Sequence, residues 1–247
     1  SLPRSSTTSP ALTRRLAEPL GERLKTGALV FRVEETRSGV AVDWLDAATG
    51  EAARLEARAA VLCVPRFAAQ RLVPGLDAGV SAAFAYAPWM TANLHVEDAP
   101  QGVGAEPAWD NVLHKSESLG FVVATHQAMG PVGRSSVWTY YRPYPDGDPK
   151  AARAALEGRS WESFKGEVLA DLGRALPGLE RSVRRLDVWL WAHGMVRPGP
   201  GFMFGRERAL AAAPRGRIHF GHSDLSGFSL FEEAQYRGCR AAEAARR

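Results

Sequence analysis

The residues with the most chemistry to offer crowd into the end of the chain, where residues 216–247 read GRIHFGHSDLSGFSLFEEAQYRGCRAAEAARR. Arg217, Ile218, His219 and Phe220 form a β-prone run closed by Gly221. Ser229 then offers a side-chain cap, Glu232 stands three residues on as its capping-box partner, and an alanine-rich helix runs to the last residue. A strand, a turn with two glycines (Gly221 and Gly227) and a capped helix make an anion site, because the unpaired N–H groups and dipole of the helix start point at whatever occupies the turn. That arrangement suits a pyrophosphate. It equally describes an ordinary β-turn-α unit with a charged surface turn. His219, His222 and Asp224 bracket the same turn, and as metal ligands they would make at best a crowded surface site.

A second set of candidates lies in residues 184–196 (RRLDVWLWAHGMV). Alternation puts Leu186, Val188, Leu190 and Ala192 on one face of a strand and Trp189, Trp191 and His193 on the other. Trp191 and His193, with Trp89 from residues 88–96 (PWMTANLHV) facing them, are the candidate walls of an apolar, water-excluding pocket. The alternative keeps the tryptophans as core and His193 as a hydrogen-bonded histidine. Other chemistries lack their residues. There is no G-x-S-x-G elbow, no HExxH and no Walker pattern, and the six histidines have no metal-ligand spacing. The two cysteines, Cys63 and Cys239, lie far apart and read as reduced thiols used as small apolar side chains.

The elements that position these candidates follow from periodicity. Residues 1–10 are rich in Ser, Thr and Pro, start without Met, and read as a loop or the edge of a longer chain. From Pro10, Leu12, Leu16, Leu20 and Leu24 recur at helical spacing, which predicts a helix packed by one side onto a core. Residues 28–33, 40–45 and 53–57 are strands separated by Ser38-Gly39 and Thr49-Gly50, a three-stranded antiparallel meander. Residues 59–64 (AAVLCV), stopped by Pro65, predict a strand buried on both faces as in a parallel sheet. Strand-like segments follow at 88–96, 119–126 and 136–141, then helices at 149–156 and 161–176. A Pro/Gly-dense loop over 197–205 and a short helix over 206–213 lead back to the terminal motif.

The terminal run resembles the C-terminal flavin-binding signature of the flavin-containing amine oxidoreductase superfamily. Phe220-Gly221, Asp224, Gly227, Glu232-Glu233-Ala234 and Gly238-Cys239-Arg240-Ala241-Ala242 stand at matching spacings. The succession of helix, meander and strand ending at Cys63-Val64-Pro65 is similar to the same proteins. The resemblance implies an α/β fold with mixed α+β character: a partial, Rossmann-like FAD-binding domain lacking its first βαβ unit, interleaved with a mixed-sheet substrate domain. Residues 11–75 and 206–247 would form the first and 76–205 the second. It also implies that Val30 lies near the adenine, that Pro65 ends the re-entering strand, and that Gly221 and Ser229 shape the turn. Asp224 would then meet the ribityl or pyrophosphate region, with the N–H groups of Leu230 and Phe231 at the carbonyl edge of the flavin. Trp89, Trp191 and His193 would hold a small or apolar substrate against the ring.

Three departures narrow that implication. Thr91 or its neighbour stands where many members place a lysine, Leu230 replaces an aromatic residue, and His222 replaces a customary glycine, so amine oxidation itself is not expected. No G-x-G-x-x-G follows any strand, so the adenosine pocket is missing. FAD is therefore expected for a complete protein and weakly or not at all for this chain alone. The missing dinucleotide-binding segment would come from upstream or from a partner chain. A non-catalytic fragment, or a binding or scaffold module with the substrate-domain fold, is the competing reading.

Composition agrees with a folded protein and excludes other classes. Of the 247 residues 45% are hydrophobic and 23% charged, enough for a substantial core. The net charge of +4 is spread without a dense basic run, which argues against nucleic acid. No apolar stretch approaches a membrane span and residues near the start lack a signal-peptide pattern, so a cytoplasmic protein is expected.

Overall fold

A computed structural model describes residues 8–124 and 134–247. The chain divides into two compact units: residues up to Gly21 with Ala87–Gly194, and Glu22–Tyr86 with Met195–Arg247. Helix α1 (Thr8–Ala17) is followed by a 3-10 stretch (Glu18–Arg23) kinked at Gly21, whose φ of 51° is left-handed. Leu12, Leu16, Leu20 and Leu24 are all exposed, so the expected packed leucine stripe does not form. The helix stops at Ala17, just before Pro19, and the turn at Gly21 prevents the four leucines from sharing one continuous face.

The meander appears as read: β1 (Ala28–Glu35), β2 (Val40–Asp46) and β3 (Ala52–Ala57) pair antiparallel in that order. Arg54 clamps Asp43 across β2 and β3 with two hydrogen bonds, 2.6 and 2.8 Å. Next, β4 covers only Ala60–Leu62, half of the run expected to be a buried strand. Leu62 alone of the three is buried, and Cys63 is exposed, against the expectation of a buried thiol. The reason is pairing: the sheet that contains β4 has two strands only, so the far edge of β4 has no partner strand among the described residues. Pro65 opens α2 (Arg66–Leu72), and Asp77 caps α3 (Ala78–Ala82) by accepting from the N–H groups of Gly79 and Val80.

The other unit is a five-stranded sheet with helices on one face. Its strands are β5 (Tyr86–Glu97), β6 (Asp110–Asn111), β7 (Gly120–Val123), β8 (Ser135–Pro143) and β9 (Val183–Val196), in the order β6-β7-β8-β5-β9. The expected strand over 119–126 ends at Val123, and its residues 125 and 126 lie outside the described residues. Alternation along β5 buries Met90, Ala92, Leu94 and Val96 almost completely. They pack with Trp138, stacked on Phe121 at 4.8 Å, and with Phe164, Val168 and Leu172. Those last three belong to α5 (Trp161–Gly173), flanked by α4 (Pro149–Glu157) and α6 (Leu179–Ser182). Asp171 of α5 accepts from Ser116, Ser118 and Tyr140 (2.6, 2.8 and 3.0 Å). Burial opposes its charge, but these donors outweigh burial and hold its pKa below the usual value.

The chain then returns to the unit containing the meander through α7 (Arg206–Ala212), β10 (Ile218–Phe220), a 3-10 turn (Ser223–Ser226) and α8 (Phe231–Ala245). Its core joins Val33 and Val40 of the meander to Leu62, Ala69, Ala211, Ile218, Phe220 and Leu225. Among the described residues no helix is long and apolar enough to cross a membrane. Leu172 is fully buried and sits where α5 meets the sheet, so Leu172→Ala should lower the stability of this chain by about 3 kcal/mol in urea denaturation.

Candidate functional site

The terminal turn is built on a parallel strand pair. Ala60 N–H donates to the Arg217 carbonyl at 3.0 Å and Gly221 N–H donates to that of Leu62 at 2.9 Å, in the register Ile218↔Ala60, His219↔Val61, Phe220↔Leu62. Ala60 and Leu62 thus point their backbone groups at β10. The N–H and C=O of Val61 point to the opposite edge, where no strand lies among the described residues. At Gly221 a Cβ would come within 3.1 Å of Gly238 Cα and 3.2 Å of Cys63 Sγ. Only glycine lets α8 close onto the strand end this tightly.

After Gly221 the chain folds around Asp224, which is 2% exposed. Its Oδ2 accepts from the backbone N–H of Arg66 at 3.0 Å and from the Tyr86 hydroxyl. Its Oδ1 lies 3.1 Å from His222 Nδ1, an ion-pair contact when the imidazole is protonated. Burial works against the Asp224 charge, but the His222 and Tyr86 hydrogen bonds outweigh it and hold the carboxyl below its usual range. Burial, with the adjacent carboxylate, pushes the Tyr86 hydroxyl well above its own. The carboxylate placed by resemblance against the ribityl or pyrophosphate region is therefore turned inward. A ligand at this turn meets backbone N–H groups and the partly exposed His222.

Gly227 has a φ of 80°, a backbone conformation that favours glycine, and a Cβ there would also push aside the Met203 thioether at 2.6 Å. The expected capping box is absent. Ser229 Oγ accepts from Val196 N–H at 3.2 Å, Leu230 is the N-cap residue, and no side chain caps α8. The reason is geometric: Ser229 lies one position too early and is drawn to the end of β9. The first turn of α8 keeps its N–H groups without a side-chain acceptor, beside exposed Leu230 and Phe231. Pro65 sits at the start of α2, one residue from the Arg66 N–H that holds Asp224. Val30 is half-buried on β1 against the core that contains Leu62 and Ile218.

The second candidate set lies on the five-stranded sheet, on the face away from α5. Trp191 Nε1 donates to Thr91 Oγ1 at 3.0 Å, and His95 Nε2 stands 3.5 Å from Asp187 Oδ2. These contacts place the odd-numbered residues of β9 with Thr91, Asn93 and His95. Trp189 and Trp191 are about half exposed, and His193 is half-buried. A Cβ on Gly194 would lie 2.8 Å from Trp89 Cδ1, which shows how closely that indole lies on β9. Trp89 and Trp191 also line a cleft of about 210 Å³ with Pro88 and Leu190. Sequence reasoning did not anticipate Tyr86, Arg66 or the His95–Asp187 pair. Alternation on β5 and β9 carried a signal for the last; nothing local pointed to the others. Among the described residues no three His, Cys, Asp or Glu side chains gather to hold a metal ion.

Because the folded-state pKa of Asp224 is depressed, its charge contributes stability above the unfolded value near ~4, and that contribution is lost as pH falls through the folded value. Asp224→Asn should lower the melting temperature at pH 7 and flatten its decline below about pH 4, checked by thermal unfolding across that range.

No family model matches the chain, and no curated protein matches it by sequence. Solved structures do match its fold. Cyclohexylamine oxidase from Brevibacterium oxydans IH-35A is 16% identical with a TM-score of 0.65 over 95% of this chain. A putrescine oxidase variant redesigned in cofactor binding is 22% identical with a TM-score of 0.68 over 96%. An Exiguobacterium protein named as a candidate protoporphyrinogen oxidase is 13% identical with a TM-score of 0.66 over 96%. The chain spans 51%, 52% and 50% of these structures, about half the length of each. The mixed α/β fold of this chain is shared with about half of each of these structures.

Proposed function

We propose that this chain is the C-terminal part of an FAD-dependent, amine-oxidase-like oxidoreductase that oxidises a small or apolar substrate through the flavin. The single observation that carries the reading is the two-stranded parallel sheet of β4 and β10, which ends in a glycine turn and an uncapped helix start. Parallel strands are stable when covered on both faces and extended by neighbours, so this pair is a piece of a larger sheet. The fold likeness over half the length of the solved structures supports the same conclusion.

The residues present fit one part of FAD. Free N–H groups at the start of α8, the close packing at Gly221 and the left-handed Gly227 suit the flavin end and the adjoining phosphates. Apart from Val30, placed near the adenine by resemblance, no described residue is assigned to the adenosine pocket, which a missing N-terminal segment or a partner chain would provide. Bound FAD would supply the two-electron acceptor. The chain's own part is to position and to exclude water. Thr91 fixes the Trp191 indole, Gly194 lets Trp89 lie close against β9, and the indoles form an apolar wall for the substrate. With Thr91 or its neighbour where a lysine is customary, a substrate other than an amine is the better assignment.

The closed cluster of Asp224, Tyr86, His222 and Arg66 favours a second reading, since it needs no ligand to complete it. On that reading the chain is a non-catalytic module. The test is flavin retention after gel filtration with excess FAD. The chain alone should emerge colourless, and the chain co-expressed with the coding region upstream of Ser1 should emerge yellow with a flavin absorbance band. Colourless protein in both cases supports the module instead.

A further inference from the structure

Arg66 uses its backbone to hold Asp224, but its side chain does something the flavin reading does not require. The residue is only 4% exposed. Its Nε donates to Ser81 Oγ at 3.1 Å, its Nη1 to the Ala211 carbonyl at 3.4 Å, and its guanidinium lies over the Phe220 ring at 5.2 Å. Among the described residues no carboxylate reaches it within the 4.0 Å of an ion pair. Buried charges are normally paired, because a neutral hydroxyl, a carbonyl and a ring face do not neutralise them. Burial depresses the Arg66 pKa, outweighing the opposing pull of Tyr86 and Asp77.

The free side of this guanidinium opens on a cavity. Among the described residues Nη2 donates to no group and no buried side-chain nitrogen is left without a partner, so Nη2 is accessible. The accessible space beside it is a cleft of about 310 Å³, the lower end of the range that binds small molecules. Leu76, Val80, Leu210 and Phe220 supply apolar walls, and Arg215 closes one side. Arg215 is held in place by donating from Nη1 to the Pro74 carbonyl at 2.6 Å. Asp77 is the acid among the lining residues, and its Oδ1 is taken by the N–H groups of Gly79 and Val80 at 2.7 and 3.0 Å. Two arginines against one aspartate leave the cleft with a positive charge to spare.

We infer that this cleft between α2, α3 and α7 binds a small organic carboxylate, its acid group on Arg66 and Arg215 and its compact apolar body against Leu76, Val80, Leu210 and Phe220. A planar guanidinium lining a partly apolar cleft matches a carboxylate in geometry, and a single surplus charge matches a monoanion. The site shares Arg66 and Phe220 with the frame of the terminal turn but uses the Arg66 side chain and not its backbone, and it needs no flavin. Its success or failure is therefore independent of the proposed function.

The test is isothermal titration of the whole chain with benzoate, and with neutral benzamide as the shape control, at constant ionic strength. Arg66→Met would disturb the packing that Arg66 bridges, so Arg215→Gln, at the exposed rim, and Leu210→Trp, which fills the cavity from a half-exposed helix position, are the variants of choice. Saturable benzoate binding is expected, with benzamide at least about tenfold weaker, the Arg215→Gln affinity reduced about tenfold, and binding lost in Leu210→Trp. Absence of benzoate binding, benzamide binding of equal strength, or an affinity within about threefold of the unmodified chain in either variant overturns the proposal.

Discussion

The carboxylate of Asp224 is the joint on which the C-terminal motif depends. It ties a turn near the end of the chain to the start of α2, 158 positions earlier, and to the Tyr86 hydroxyl at the head of β5. Both oxygens are engaged, and an ionised carboxylate at 2% exposure persists only because the donors around it replace the water it loses. The turn is consequently shaped before any ligand arrives. Gly221, Gly227 and the uncapped start of α8 are held in place by protein contacts, so a ligand there would not have to order the loop.

What the same unit lacks is a completed sheet. The strands β4 and β10 make three residues of register and end. A parallel ladder that short buries little, and the N–H and C=O of Val61 have no strand beside them among the described residues. The meander shows the same want of cover, with Leu29, Phe31 and Leu55 exposed. The five-stranded sheet is complete by contrast. Its inner face is closed by α5, its acid Asp171 is satisfied by three hydroxyls, and its outer face displays Trp189, Trp191 and Thr91.

Much of this was legible in the sequence where pattern and physics coincide. The meander, β5 and β9 stand out because residues alternate between a packed face and an open one, and the Ser38-Gly39 and Thr49-Gly50 turns punctuate them. Gly221 and Gly227 were legible because a turn between strand and helix demands small residues. The misreadings share a cause. A leucine period says that a face is apolar, not that a partner covers it, so Leu12, Leu16, Leu20 and Leu24 misled. Residues 59–64 predicted a buried strand because burial depends on neighbouring strands that no local pattern reveals. Ser229 looked like a cap until the tertiary pull of Val196 N–H took its hydroxyl. Asp224 signalled an acid at the turn, but its direction was set by Tyr86, a residue too distant in sequence for spacing to betray.

The central claim is that β4 is an interior strand awaiting a neighbour, and hydrogen exchange at the Val61 amide tests it most directly. In the chain alone this amide should exchange at nearly the rate of an open strand edge. With a polypeptide that supplies the proposed neighbouring strand it should slow by about a hundredfold, as expected of an amide drawn into a ladder. Exchange at Val61 that stays fast in the presence of that polypeptide would contradict the account.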